Sequence, residues 1–304
     1  MPGYLLSRFV QSIGVLLGVS LITFSLLYFL PADPARMIAG RSATPETVQR
    51  IRHELGLDRP LLVRYVHYLW RLLHGDMGRS YAQKNAVRDI IAARLGPTFQ
   101  LTLAGIAFEL LIGLPFGIIA ALRRGTLVDQ VVMGMAFLGV SAPQFAVGLL
   151  LLYVLAYKVV LFPLGGYGGW QHLILPAFTL GIAGGGWYAR VMRSSLLEVL
   201  GQDYVRTARG KGLSPQKVVL KHALRNALLP IVAMIGMDLG VFMGGVVVVE
   251  SVFGWPGIGQ MIWQAIQLVD IPVILGGVTT TALFIVLGNL LADLIYPLLD
   301  PRIQ

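Results

Sequence analysis

Residues 9–30 read FVQSIGVLLGVSLITFSLLYFL, and residues 99–122 read FQLTLAGIAFELLIGLPFGIIAAL. The first run holds no charged side chain and the second only Glu109. Each is longer than the roughly 20 residues an α-helix needs to cross a hydrocarbon core about 30 Å thick. Inside lipid every backbone N–H and C=O must be bonded within the structure, so a spanning segment is a helix or part of a closed barrel. Barrel strands would be short and would alternate apolar with polar side chains. Neither run alternates, which leaves an all-α polytopic membrane protein.

Composition points the same way. Of 304 residues 56% are hydrophobic and 13% charged, with mean hydropathy +0.74. A soluble domain is about a quarter charged, so this chain has too few charges to cover a globular surface. The absence of cysteine excludes disulfides and thiolate metal sites. His53, His67, His74, His172 and His222 show no metal-ligand spacing. The net charge of +9 could suggest nucleic acid. Lys and Arg also collect in the cytoplasmic loops of polytopic proteins, and no soluble basic domain is present to bind nucleic acid.

Working outward, six spans are expected at 9–30, 99–122, 131–155, 172–191, 227–249 and 272–295. Arg8 precedes the first, but its apolar stretch exceeds the about 7–15 residues of a signal-peptide core. It ends in Leu30-Pro31-Ala32-Asp33 rather than a small-x-small cleavage site, so the first helix is expected to be retained. Residues 131–162 are too long for one straight span and too short for two, and Pro143 is expected to kink them. An even number of spans puts both termini on one side. Arg123-Arg124 lies in one short loop; Arg193, Arg206, Arg209, Lys211, Lys217, Lys221 and Arg225 fall between spans four and five. The positive-inside rule places these loops and both termini in the cytoplasm.

Residues 31–97 then form an external helical segment. Their arginines do not decide topology, because the segment exceeds the roughly 60 residues within which the rule counts charge. Thr44 before Pro45 starts a helix carrying Val48, Ile51 and Leu55, with Gly56 as its stop. Pro60 opens a second, carrying Leu62, Tyr65, Leu69 and Leu73 and closed by Gly75. Such stripes are packing faces or, alternatively, lipid-surface faces. The chain thus divides into a first transmembrane helix (1–30), an external segment (31–97) and a five-helix core (98–304).

The loop 193–226 is strongly basic and reads as two short helices around a turn. The first covers about 202–209; Gly210 and Gly212 bracket Lys211 and supply the backbone freedom of a sharp turn. Ser214 caps a second helix with Pro215 at its first position. A topology signal alone needs neither a glycine turn nor a cap. The shape suits docking into a groove on a soluble partner.

Tyr204-Val205-Arg206-Thr207-Ala208-Arg209-Gly210-Lys211-Gly212-Leu213-Ser214, followed by His222-Ala223-Leu224-Arg225-Asn226-Ala227-Leu228-Leu229-Pro230, resembles the coupling loop of ABC-transporter permeases. More narrowly it is similar to the dipeptide/oligopeptide/nickel/glutathione importer family, and the resemblance runs the length of the chain. It includes Leu30-Pro31-Ala32-Asp33-Pro34-Ala35, Glu54-Leu55-Gly56-Leu57-Asp58-Arg59-Pro60 and Gly75-Asp76-Met77-Gly78-Arg79-Ser80. It continues in Glu250-Ser251-Val252-Phe253-Gly254-Trp255-Pro256-Gly257-Ile258-Gly259 and Asp300-Pro301-Arg302-Ile303. Where the general loop begins Glu-Ala-Ala, this chain has Arg206-Thr207-Ala208, and Pro230 lies further downstream, as in the peptide-type branch.

The resemblance implies a type I ABC-importer permease in the cytoplasmic (inner) membrane, with short peptides or glutathione-like solutes as cargo. Nickel or another small solute is the alternative within the family. It implies a second homologous permease subunit, two ABC ATPase subunits, an extracytoplasmic solute-binding protein and membrane lipid as partners. ATP and Mg would be bound by the ATPase subunits. No G-x-x-x-x-G-K-[ST] is present, so the chain is not expected to be an enzyme or to bind a cofactor.

Other residues are candidates for the pathway. Glu109, Asp238 and Asp293 are carboxylates within or at the edges of spans, and Asp238 is expected to face the interior. Gly236, Gly240 and Gly244 make a small-residue ridge for close packing within the chain or against a second permease. Residues 254–268 could form a re-entrant or interfacial helix with Trp255 and Trp263 at headgroup level. Pro143, Asp238, Glu250, Phe253, Pro256 and Gly257 are the pathway or gate candidates. A proton-coupled secondary transporter is the rival class, but the carboxylates are scattered and no repeat of broken helices is found.

Overall fold

The computed structural model describes residues 2–29, 33–40 and 43–299. Leu30-Pro31-Ala32 and Asp300-Pro301-Arg302-Ile303 lie outside the described residues, as does the side chain of Asp293. The regular secondary structure of the described residues is helical, apart from an isolated bridge between Arg79 and Ala86. Helices α1 (Pro2–Tyr28), α2 (Pro34–Ala39), α3 (Pro45–Glu54) and α4 (Leu61–Leu73) precede the long α5 (Val87–Leu122). Next come α6 (Leu127–Ser141) and α7 (Gln144–Leu151), continued by a π-helical stretch at Leu152–Lys158. After α8 (Trp170–Leu200) follow α9 (Asp203–Gly210), α10 (Pro215–Lys217), a π-helical stretch at Val218–Ala223 and α11 (Leu224–Ala227). The chain continues through α12 (Leu229–Met243), α13 (Val247–Phe253), α14 (Ile258–Gln267) and α15 (Ile271–Leu299).

Among the described residues three helical segments are long and apolar enough to cross a membrane: Ser7–Leu27, Val87–Leu122 and Ile271–Leu291. Two bent pairs, Leu127–Ser141 with Gln144–Lys158 and Pro215–Ala227 with Leu229–Met243, bring the number to five. The expected fourth span lies in α8, where Gly184-Gly185-Gly186 and the polar residues beside it dilute the apolar character.

The chain forms two compact units. The first holds α1–α4, the start of α5, α14 and the first part of α15. Its helices α3 and α4 start and stop where the punctuation residues stand. Thr44 Oγ1 accepts from Thr47 N at 3.3 Å, and Gly56 and Gly75 take φ +63° and +76° after α3 and α4. The packing face of α4 differs from the expected stripe. Leu61, Tyr65, Tyr68 and Leu69 pack with Phe24, whereas Leu62 and Leu73 are exposed. Asp270, 2% exposed, anchors the turn before α5: it accepts from Ser80 Oγ, from Tyr81 N at 2.9 Å and from Ala82 N at 3.1 Å. Val87, Ile90 and Ile91 close the core against Ile258, Met261, Val273 and Ile274.

The second unit holds the rest of α5, α6–α12, most of α13 and the end of α15. Glycines let its helices meet backbone to backbone. A Cβ on Gly117 of α5 would stand 2.6 Å from Ala189 O of α8, and one on Gly139 of α6 would stand 2.7 Å from Ile182 O. Gly288 of α15 would likewise meet Gly240 Cα of α12 at 2.7 Å, so the Gly236–Gly240 ridge has its partner within the chain. Pro143 does more than kink the third span. Ala142, forced extended ahead of proline (φ −73°, ψ 128°), ends α6, and α7 leaves at 100°.

Two further expectations are corrected. The fifth span ends at Met243 rather than 249, because Gly244-Gly245 follows and Gly245 takes φ +97°. Trp255 is packed inside the protein rather than presented at its surface: it is 1% exposed, with its ring edge-on to Tyr167 at 5.0 Å. Trp263 is 47% exposed.

Candidate functional site

The basic segment between the fourth and fifth expected spans folds as a compact unit. α8 runs on to Leu200, so Arg193 sits on a helix and the loop proper starts at Gly201. In α9, Val205 and Ala208 are three residues apart and point inward onto Val218, Val199 and Leu200. That leaves Arg206, Thr207, Arg209 and Gly210 on the outer face.

A Schellman motif closes α9. Gly212 N donates to Arg209 O at 2.9 Å and Leu213 N to Ala208 O at 3.4 Å, with Gly212 at φ +78°. Of the two glycines flanking Lys211, Gly212 alone takes the left-handed conformation; Gly210 is the last residue of α9. Pro215 opens the next helix as expected, but Ser214 caps it by its backbone, accepting from Val218 N at 3.0 Å, and not by its hydroxyl.

The second arm is π-helical through Val218–Ala223, and His222 is half-buried there. Asn226 then reaches back, its amide donating to the Tyr204 hydroxyl at 2.7 Å. The coupling residues predicted from sequence therefore lie on one surface, except Ala208, which packs inward with Val205 and Val218. Arg206, Arg209, Lys211, Gly212, Leu213 and Ser214 are exposed around the turn, and Arg225 and Asn226 are exposed at the base. The Arg206–Asp203 pair, at 3.9 Å and both exposed, adds little fixation.

Sequence reading missed the brace above this surface. Arg193 of α8 donates through Nε and Nη2 to the two carboxylate oxygens of Asp129 at 2.6 and 2.7 Å. Asp129 also accepts from Gly125 N at 2.9 Å, so it fixes the tight turn after Arg123-Arg124 as well as α8. Such a bidentate pair is directional as well as strong. An acid standing alone at a helix start beside a basic loop was the available signal.

The pathway candidates are spread over several elements of the two units. Asp238 of α12 is half-buried and accepts from the Tyr188 hydroxyl of α8 at 2.5 Å. Glu250 is fully buried, its carbonyl accepting from Trp255 N at 2.8 Å. Phe253 packs on Gly148 of α7 and accepts from Gly166 N at 2.7 Å. Pro143 sits at the α6–α7 break. In the other unit Gly257 caps α14 directly after Pro256, and the next residue, Ile258, donates from N to Thr98 Oγ1 at 3.0 Å. Among the described residues no group of three or more His, Cys, Asp or Glu is placed to hold a metal.

Residues 113–304 match the family described as binding-protein-dependent transport system inner membrane component, and residues 1–102 match its N-terminal membrane component. The chain belongs to this family. The glutathione transport system permease protein GsiC of Salmonella choleraesuis (strain SC-B67) is 42% identical over 304 residues, covering 100% of this chain and 99% of that protein. GsiC of Escherichia coli (strain K12) is 40% identical with the same coverage. A chain of the inward-facing MetNI methionine ABC transporter matches with TM-score 0.55 and 19% identity, covering 69% of this chain and 96% of that one. At that identity the likeness concerns the fold alone.

This permease is therefore a multi-pass inner-membrane subunit of a binding-protein-dependent ABC importer. It is not itself an ATPase and carries no cofactor of its own. Membership implies ATPase and binding-protein partners, and it sets aside the proton-coupled rival.

Proposed function

We propose that the chain forms half of the translocation pathway of an importer for glutathione or similar short peptides. It pairs with a second, similar permease, two ATPase subunits and an external solute-binding protein. The observation that carries the cargo is the full-length 40–42% identity to permeases named for glutathione transport. Six spans are read from the five apolar candidates plus α8, with both termini cytoplasmic, residues 31–97 external and residues 98–304 forming the core.

The surface built by Tyr204, Arg206, Thr207, Arg209–Ser214, His222, Arg225 and Asn226 docks in a cleft of an ATPase subunit. What supports this is its construction: two arms anchored on α8, a left-handed glycine at the apex, and a hydrogen bond closing the base. Closure of the ATPase pair would then displace α12, which leaves the second arm at a 44° bend. Asp238, Glu250, Phe253, Pro256, Gly257 and the Pro143 break remain the pathway candidates.

The test is reconstitution of the full transporter in proteoliposomes with its binding protein and labelled glutathione. ATP-dependent accumulation is expected with the native chain and is lost, together with ATPase co-purification, in Gly212→Pro. Accumulation of a different solute with glutathione excluded would overturn the cargo. Full ATPase retention by Gly212→Pro would overturn the docking surface.

A further inference from the structure

Helix α4 belongs to the segment expected outside the membrane, yet it bonds to α1 and α15 inside the apolar stretches of those two helices. Tyr65 shares a hydrogen bond with Ser20 Oγ at 2.9 Å and donates to Leu17 O at 3.2 Å, both in α1. Ser20 lies seven residues before the end of the Ser7–Leu27 span, about 10 Å along the axis at 1.5 Å per residue. Tyr68 bonds Thr279 Oγ1 at 2.8 Å. Thr279 lies eight residues into the Ile271–Leu291 span, about 12 Å from its start. Two contacts with two spans give the same depth.

At about 100° per residue, α4 divides into three sectors. Leu61, Tyr65, Tyr68 and Leu69 pack inward. Leu62, Val66, Trp70 and Leu73 form a second sector, apolar and 61–81% exposed. Arg64, His67 and Arg71 form a third, which borders a cavity of about 590 Å³. Arg59, Arg79 and Lys84 also line that cavity, against Glu54 and Asp76 as its acidic residues. Its apolar wall includes Phe24 and Ile271, next to the ends of the two spans. An apolar sector at acyl depth, a tryptophan, and a net cationic cavity where spans leave the hydrocarbon match a phospholipid's chain and phosphate.

We propose that α4 is an interfacial helix that holds an anionic phospholipid, its phosphate against Arg59, Arg79 and Lys84 of the cavity, where Arg71 is already paired with Asp76 at 2.8 Å, and an acyl chain along Leu62, Val66 and Leu73. A protein partner on the same face is the competing occupant. The chain has no cysteine, so Val66→Cys gives one attachment point for a bimane label within this subunit of the complete transporter. In vesicles of phosphatidylglycerol with brominated acyl chains the label should be quenched. Separately, native mass spectrometry of the complex from phosphatidylglycerol/phosphatidylcholine nanodiscs should show retained phosphatidylglycerol. Arg59→Gln/Arg79→Gln/Lys84→Gln removes three exposed charges without touching the packed sector, and should cut that retention at least about tenfold. An unquenched label at Val66→Cys, or equal retention by the triple variant, would overturn the proposal.

Discussion

Asn226 donates its side-chain amide to the Tyr204 hydroxyl at 2.7 Å and so joins the two ends of a segment whose middle carries the basic surface. The bond holds the arms at one spacing without burying either residue. Asn226→Ala should leave the spans inserted while weakening ATPase co-purification severalfold, since a single such bond is worth about 1 kcal/mol. Tyr204→Phe should match it. Wild-type recovery of ATPase by both variants would show that the base need not be closed.

Gly212 sits at φ +78° with open space around its Cα. Strain, not collision, therefore decides which residues fit. Gly212→Asn should keep most coupling, because asparagine tolerates the left-handed region, whereas Gly212→Val should lose it. Transport-coupled ATP hydrolysis in proteoliposomes separates the two; equal rates would mean the turn can rearrange.

The Asp129–Arg193 pair is largely shielded, at 6% and 27% side-chain exposure. Removing either partner should lower the thermal stability, because it leaves the other charge without its bidentate bonds. Arg193→Lys should rescue poorly because an ammonium cannot make both bonds. Thermal unfolding in detergent of Asp129→Asn, Arg193→Lys and the double variant checks this: additive losses would mean the pair is not coupled.

Asp270 ties three donors of the Ser80–Ala82 turn to the start of α15. Asp270→Ala leaves those donors without their acceptor, and the first unit should lose about 1–3 kcal/mol. The turn should become the first site of limited proteolysis. An unchanged cleavage pattern would count against the anchor.

Much of this was legible in the chain itself. Long charge-free runs fix helices because lipid offers no other partner for the backbone; Thr44 acts locally through its hydroxyl, and Gly56, Pro60, Gly75 and Gly212 through φ or a missing N–H. The misreadings are those that local chemistry does not decide. Trp255 looks interfacial by type, but Tyr167, 88 positions earlier, covers it. The Asp270 anchor joins residues 190 apart, although an acid just before Ile271-Pro272 is a helix-start signal. Arg193 counted as a topology charge until Asp129, 64 residues away, supplied its carboxylate. Leu62 and Leu73 keep helical spacing with Tyr65 and Leu69, and spacing cannot tell which of two apolar sectors meets protein.

The Gly240–Gly288 approach has a mechanical consequence. Where two helices meet through side chains, rotamers can absorb a displacement of an ångström or so before the neighbour moves. Here the backbones themselves touch, at a place where a Cβ would have no room, so nothing soft separates them. A push delivered at the base of α12 would then reach α15 without lost travel, the joint acting as a strut rather than a spring.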